Sequence, residues 1–193
     1  MKVIFLDFDG VITTPASKWC ISLEKLKHIQ SIINHTGAKL VISSSWSVGS
    51  RNAEEFINKV FSTFKSLTES VREKSLFIES IIDVTDHMGI LRGDEIQRWL
   101  DSHEVESYVI IDDDDDVRED QLFNFVQTDT FEGITEREVH LAIDILNNKR
   151  IEGPFRLNRP LLFMRYDDLN GRKTNINSLL MDYNQKFKTP TIL

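Results

Sequence analysis

Apolar runs and amphipathic stretches alternate along the first 150 residues in the manner of βαβ units. Val3, Ile4, Phe5 and Leu6 are four consecutive apolar residues, closed off by Asp7. A run without polar alternation predicts a strand buried on both faces, as in a parallel sheet. Ser22 then caps a helix reaching about Thr36, with Gly37 as its stop signal and Leu23, Leu26, Ile29 and Ile33 on one face. Residues 39–42 form a second apolar strand. Asn52 caps a helix with Glu54 and Glu55 in its first turn, where the dipole favours acids, and with Phe56, Val60, Phe61 and Phe64 on its buried side. Residues 66–88 are the least legible, and 78–84 is the expected third strand. A helix over 94–101 presents Ile96, Trp99 and Leu100. Residues 108–111 and 122–126 are the fourth and fifth strands. In the closing helix Thr135 and Glu138 have capping-box spacing, Ile134 and Val139 staple spacing, and Val139, Ala142, Ile143 and Leu146 make the face. Strands alternating with helices predict the α/β class with a parallel sheet.

Composition narrows this little. The chain has 193 residues, 40% hydrophobic and 28% charged, which suits one globular domain with a modest appendage. Its one cysteine, Cys20, excludes an internal disulfide and is expected as a small buried hydrophobe in a reducing compartment. The chain enters a strand at once, without the pattern of a signal peptide, and no apolar stretch approaches the ~20 residues of a membrane span. A cytoplasmic protein is expected, with no membrane partner. The net charge of −8 argues against broad nonspecific DNA binding. That charge is uneven: from Lys149 onward nine Lys or Arg face four Asp or Glu, which leaves the preceding body more acidic than the whole. The helix-and-strand pattern breaks after residue 149, so 1–149 is read as the domain. Residues 150–193 are read as a basic extension, either an added edge strand or a path for a nucleic-acid backbone.

Four polar sites fall at or beside successive strand ends: Asp7 and Asp9, then Ser43 to Ser45, then Arg92, then the five aspartates 112–116. In a parallel sheet all the carboxyl ends lie on one side, where ligands bind, so these residues can converge on one crevice. Carboxylates from two strands make the hard-oxygen site that Mg²⁺ prefers. A hydroxyl and a guanidinium beside it suit a phosphoryl group, and a nucleophilic carboxylate suits an aspartyl-phosphate.

With DFDGV after the first strand, VISSSW after the second, Arg92 just before a helix, VIIDDD after the fourth and GITEREVHLAIDIL closing, residues 1–148 resemble a haloacid-dehalogenase-like (HAD) phosphohydrolase. The branch most resembled, through SSSW and RGDEIQRWL followed by IIDDD, is the small HAD domain of multi-enzyme RNA-repair proteins. The resemblance implies a Rossmann-like core. It makes Asp7 the nucleophile and a metal ligand. Asp9 becomes the general acid and then the base that activates water, its backbone carbonyl also touching Mg²⁺. Ser44 matches the phosphate-binding hydroxyl, with Ser43 as the competing choice, and Arg92 matches the phosphate-binding cation. Asp113 is the expected outer metal ligand, with Asp112 beside it and Asp116 as a helper. The family often carries a cap that selects substrate, and here there is room for a minimal cap or none. An open site suits a large substrate such as a nucleic-acid end.

The expected function is therefore a Mg²⁺-dependent phosphatase acting through an aspartyl-phosphate, with a nucleotide or polynucleotide end as the preferred substrate. Two rivals stand beside it: a phospho-acceptor signalling module, and a catalytically weak HAD-like scaffold that binds metal and a partner. Asp9 argues against the first, because slow turnover needs no general acid two residues after the nucleophile. The bland readings leave two or three of the five aspartates as a solvated turn, Ser43 or Ser45 as a turn former, and Trp46 and Trp99 as packing.

Overall fold

A computed structural model describes residues 1–63, 76–88 and 91–148, with the side chains of 61–63 left out. Five strands, β1 (Lys2–Leu6), β2 (Lys39–Ile42), β3 (Ile81–Val84), β4 (Ser107–Asp112) and β5 (Phe125–Gln127), form one sheet in the order β3-β2-β1-β4-β5, every pair parallel. The helices are α1 (Leu23–Thr36), α2 (Ala53–Thr63), α3 (Leu76–Ser80), α4 (Arg92–Asp101) and α5 (Glu136–Leu146). The expected α/β class with a Rossmann-like parallel sheet holds.

The alternation of side chains along β1 splits the core in two. Ile4 and Leu6 pack with the apolar faces of α1, α2, α3 and α5, while Val3 and Phe5 pack with Ile96 and Trp99 of α4. The Trp99 and Phe5 rings pack in a T shape with centroids 5.4 Å apart, and the Trp99 indole N–H donates to Asp83 Oδ2 at 2.8 Å. Both faces of β1 are therefore covered, which is why its apolar run has no polar interruption. From β1 the chain moves outward through β2 and β3, then returns to place β4 on the other side of β1. That reversal opens a crevice beyond the carboxyl ends of β1 and β4.

The expected caps form. Ser22 Oγ accepts from Lys25 N, Gly37 takes a left-handed φ of 69° after α1, Asn52 Oδ1 accepts from Glu55 N at 3.0 Å, and the Thr135–Glu138 box closes. Several expectations need correcting. The third strand is only Ile81–Val84, because Leu76–Ser80 is a helical turn that buries Phe77 against Phe8. Residues 122–124 belong to a 3-10 segment, Glu119–Asn124, and the fifth strand starts at Phe125. Leu23 is half exposed, and Ile32 takes its place in the core face of α1. In α5 Ile145 is buried and Ile143 only flanks the core. Cys20 is exposed, in the loop after β1. Phe64 and the extension 150–193, with the boundary expected at 149, lie outside the described residues.

Candidate active site

Register sets the site. Leu6 pairs with Ile42 on one side and Ile111 on the other, and the ladder continues past the strand ends with Asp7 N to Ile111 O, Ser43 N to Leu6 O and Thr85 N to Ile42 O, each 2.9–3.0 Å. Thr85, Ser43, Asp7 and Asp112 therefore form one tier across four strands. Their positions continue the alternation of Phe5, Val41, Asp83 and Ile110, so the tier lies on the α4 side of the sheet.

Arg92 enters from that side. It is the first residue of α4 rather than the residue before it, and its guanidinium lies 3.4 Å from Asp7 Oδ1 and 3.6 Å from Asp112 Oδ2. Leu91, at the cap position, has no side-chain acceptor for the helix. Asp116 supplies one from across the site: its Oδ2 accepts from Arg92 N at 3.1 Å and its carbonyl from Gly93 N at 3.0 Å. Gly93 allows this approach, since a Cβ there would lie 2.5 Å from Arg118 N and 2.6 Å from Gln121 Oε1. Asp116 is thus placed as a helix cap, while Asp114 and Asp115 are exposed turn residues.

The metal question rests on three acids. One carboxylate oxygen from each of Asp7, Asp112 and Asp113 lies within 4.8 Å of the others. Asp113 comes close because Gly10 has no side chain: a Cβ on Gly10 would fall 2.2 Å from Asp113 Cγ, and its φ of 70° disfavours any other residue. Burial dominates the acids' titration. It pushes Asp7 up to about 6 despite Arg92 and the Ser44 hydroxyl. It holds Asp112 well above the usual range, with the Asp7 charge adding to it, and raises Asp113 as well. Asp112 Oδ2 is buried without a hydrogen bond. Converging hard-oxygen donors that the fold struggles to keep charged, one of them without a hydrogen bond among the described residues, fit a divalent cation of the Mg²⁺ kind. The Asp9 carboxylate is not in this set.

Asp9 is held elsewhere, by two residues the sequence reading did not assign. Thr13 Oγ lies 2.7 Å from Asp9 Oδ1, and Trp46 Nε1 donates to Oδ2 at 3.0 Å. The indole N–H can only donate, so Oδ2 stays an acceptor, and Oδ1 is the oxygen left to carry a proton in catalysis. The Thr13 hydroxyl can give its proton to Oδ1, or give it to Phe8 O at 3.1 Å and accept from a protonated Asp9. It therefore suits both states. The expectation that Trp46 serves only packing is incomplete: its ring does pack on Phe8 at 5.3 Å, and its polar edge is spent on Asp9. The signals in the sequence were a Trp directly after SSS and a Thr four residues after Asp9.

The turn after β2 carries both contacts. Ser44 bonds the Asp7 carboxylate through its hydroxyl and accepts from Trp46 N at 3.3 Å. Ser43 is equally buried and its hydroxyl has no hydrogen-bond partner among the described residues, while Ser45 is exposed. Lys59 of α2 pins the turn from outside by donating to Trp46 O and Val48 O. All five buried side-chain oxygens without a hydrogen-bond partner among the described residues, on Ser43, Ser50, Thr85, Asp112 and Asp116, lie at this end of the sheet or beside it. Folded proteins leave few such groups, and ligand sites are where they are expected.

A parallel α/β sheet with acids, hydroxyls and a guanidinium converging past β1, β2 and β4 defines a haloacid-dehalogenase-like domain of the phosphohydrolase type. The family model described as the HAD domain in Swiss Army Knife RNA repair proteins matches residues 3–139, and the chain belongs to that family. No curated protein and no solved structure matches the chain at a significant level. Among the described residues no helix is long and apolar enough to cross a membrane.

Proposed function

We propose that this protein is a Mg²⁺-dependent phosphatase that works through an aspartyl-phosphate on Asp7, with a nucleotide or polynucleotide end as substrate. The observation that carries the reading is the division of labour between two acids two residues apart. Asp7 faces a cation and a hydroxyl, and Asp9 is held apart by Thr13 and Trp46. An Asp7 oxygen attacks phosphorus, and Asp9 gives its proton to the departing alkoxide. Asp9, now a carboxylate, takes a proton from water, which attacks the phosphorus of the acyl phosphate and regenerates Asp7. Arg92 and the hydroxyl of Ser44, or of its neighbour Ser43, hydrogen-bond the phosphoryl oxygens. Mg²⁺ bound by Asp7, Asp112 and Asp113, with the Asp9 carbonyl as a further ligand, would offset the charge gathered there. A phospho-acceptor module or a metal-binding scaffold has no use for an acid held ready beside the nucleophile, which favours turnover. The test is phosphate release from an aryl phosphate, sugar phosphates, nucleotides and phosphorylated oligonucleotides, with Mg²⁺ or with chelator. Metal-dependent release is expected, and none on any substrate overturns the reading.

Metal binding has its own signature in stability. Asp7 holds its proton more tightly folded, at about 6, than at its ordinary 3.8. In chelator its stabilising contribution, roughly 3 kcal/mol, is therefore full below about pH 4 and is lost as pH rises through about 6. Asp112 and Asp113 are shifted the same way. Burial lowers His87, which works in the opposite sense but is present with and without metal. The rise in melting temperature on adding Mg²⁺ is thus expected to be larger at pH 7.5 than at pH 5. Equal shifts at the two pH values would separate the metal from these acids.

Trp46→Phe keeps the ring on Phe8 and deletes the donor to Asp9. Turnover is expected to fall roughly tenfold with little change in KM, because a displaced acid harms the chemical step more than binding. Unchanged kcat would leave the contact without a catalytic role.

A further inference from the structure

A cleft of about 500 Å³ lies beside the tier, beyond β3. Its walls are Ser50 and Arg51 before α2, residues 83–87 at the end of β3, and Glu95, Arg98, Trp99 and Ser102 along α4, with His103. None of Asp7, Asp9, Asp112, Asp113 or Arg92 lines it, yet it adjoins them. Thr85 is the β3 member of the tier that holds Asp7, two positions from it across the sheet. Glu95 stands one turn along α4 from Arg92 and, with Asp112, Asp7 and Asp116, feels its charge. His87 touches Ser47 at 2.9 Å, in the same turn that presents Ser44.

The chemistry of the walls is specific. Ser47 gives its one proton to Ser44 O at 2.7 Å, so its oxygen accepts from His87 Nε2–H, and a neutral His87 offers Nδ1 as an acceptor. Burial and the nearby Arg92 favour that neutral form. Thr85 is 1% exposed, and among the described residues neither its hydroxyl nor the buried hydroxyl of Ser50 has a hydrogen-bond partner. Each can both donate and accept. Four of the charged wall residues already have partners: Arg98 forms a two-pronged pair with Asp86, Arg51 pairs with Glu55, and Asp83 accepts from Trp99. With Asp83, Asp86 and Glu95 against Arg51 and Arg98, the described walls of the cleft carry no surplus of positive charge. Trp99 is buried and stacked on His103 at 3.7 Å, so it presents no open platform for a base.

Building on the phosphatase reading above, we infer that the cleft is the subsite for the group that carries the phosphate, and that it takes a neutral, hydroxyl-rich moiety of the pentose kind. Thr85, Ser50 and His87 are its polar contacts. The sugar's hydroxyls satisfy groups that are otherwise buried without partners among the described residues.

The test is a selectivity ratio. Ribose 5-phosphate and p-nitrophenyl phosphate share the phosphoryl group and differ in the hydroxyls of the leaving group. The ratio of their kcat/KM values is measured in Mg²⁺ for the full chain and for Thr85→Val with Ser50→Ala, alone and combined. Thr85→Val removes an unpartnered hydroxyl at nearly constant shape, so folding is expected to survive it. The combined variant is expected to lower the ribose-to-aryl ratio about tenfold, each single variant a few-fold. A ratio within twofold of wild type in the combined variant overturns the subsite. A wild-type protein that leaves ribose 5-phosphate intact while hydrolysing any other substrate of the panel overturns the subsite, and one that releases phosphate from none of them overturns instead the phosphatase reading on which the subsite rests.

Discussion

Asp7→Asn is expected to leave no measurable phosphatase turnover. An amide nitrogen or oxygen cannot replace a carboxylate as the nucleophile, and the variant also removes one of the three converging metal ligands. Unfolding would not explain the loss. The fold already resists the charge on Asp7, whose titration burial pushes up to about 6, so a neutral isostere should melt no lower than wild type at neutral pH in chelator. Asp9→Asn should be less complete. It keeps the nucleophile and the metal ligands and loses the proton transfers, which typically contribute 10²–10⁴-fold. The check is hydrolysis of an aryl phosphate in Mg²⁺, with melting curves on the same samples. Rates within about threefold of wild type for either variant would remove that residue from the mechanism. An aryl leaving group needs less help from an acid than an alkyl one. The Asp9→Asn defect should therefore be larger on a sugar phosphate than on p-nitrophenyl phosphate, a difference that a purely structural defect would not produce.

Arg92→Ala is expected to lower kcat/KM by about 10²–10³, the range found when one preorganised donor to a developing anion is deleted. Arg92 is largely buried and faces Asp7 and Asp112 together. Its loss also strips two buried carboxylates of their nearest cation. The melting temperature in chelator should then fall at pH 7.5 and recover toward pH 5, where protons neutralise the acids instead. Arg92→Lys should restore part of the activity, since it returns the charge without the planar fork. The helix start itself should survive both changes, because Asp116 bonds the backbone N–H of residue 92 and not its side chain. Wild-type kcat/KM in Arg92→Ala would mean that the phosphoryl group meets its cation elsewhere.

The elements that the chain announces by itself are those whose physics is local. Four apolar residues running into an acid made β1 legible, and Ser22, Asn52 and the Thr135–Glu138 pair capped their helices, because a side chain reaching a backbone N–H two or three residues on needs nothing from the rest of the molecule. The parallel sheet followed from the alternation of strand and helix, and with it the convergence of Asp7, Ser43, Ser44, Arg92, Asp112 and Asp113 at one end. Where local signals were weak, tertiary packing decided. Residues 76–80 wind into a helical turn because Phe77 is needed under Phe8, although the sequence there reads equally as strand. Residues 122–124 yield to the 3-10 segment that buries Gln121 between Gly93 O and Arg118 N.

The finer parts of the site lay beyond the sequence for a single reason: they are contacts between chain-distant residues whose geometry depends on register. Which of five aspartates approach Asp7 is set by the β1–β4 pairing and by the space that Gly10 leaves for Asp113. That Asp116 caps α4, that Trp46 turns its indole N–H to Asp9, and that Thr85 stands unpartnered in line with Ser43 and Asp7 are decided only once the strands are paired. Composition and spacing determined what kinds of groups meet at this end of the sheet. The tertiary structure decided which oxygen faces which donor, because hydrogen bonds are won or lost over distances much smaller than the uncertainty of a strand end read from sequence.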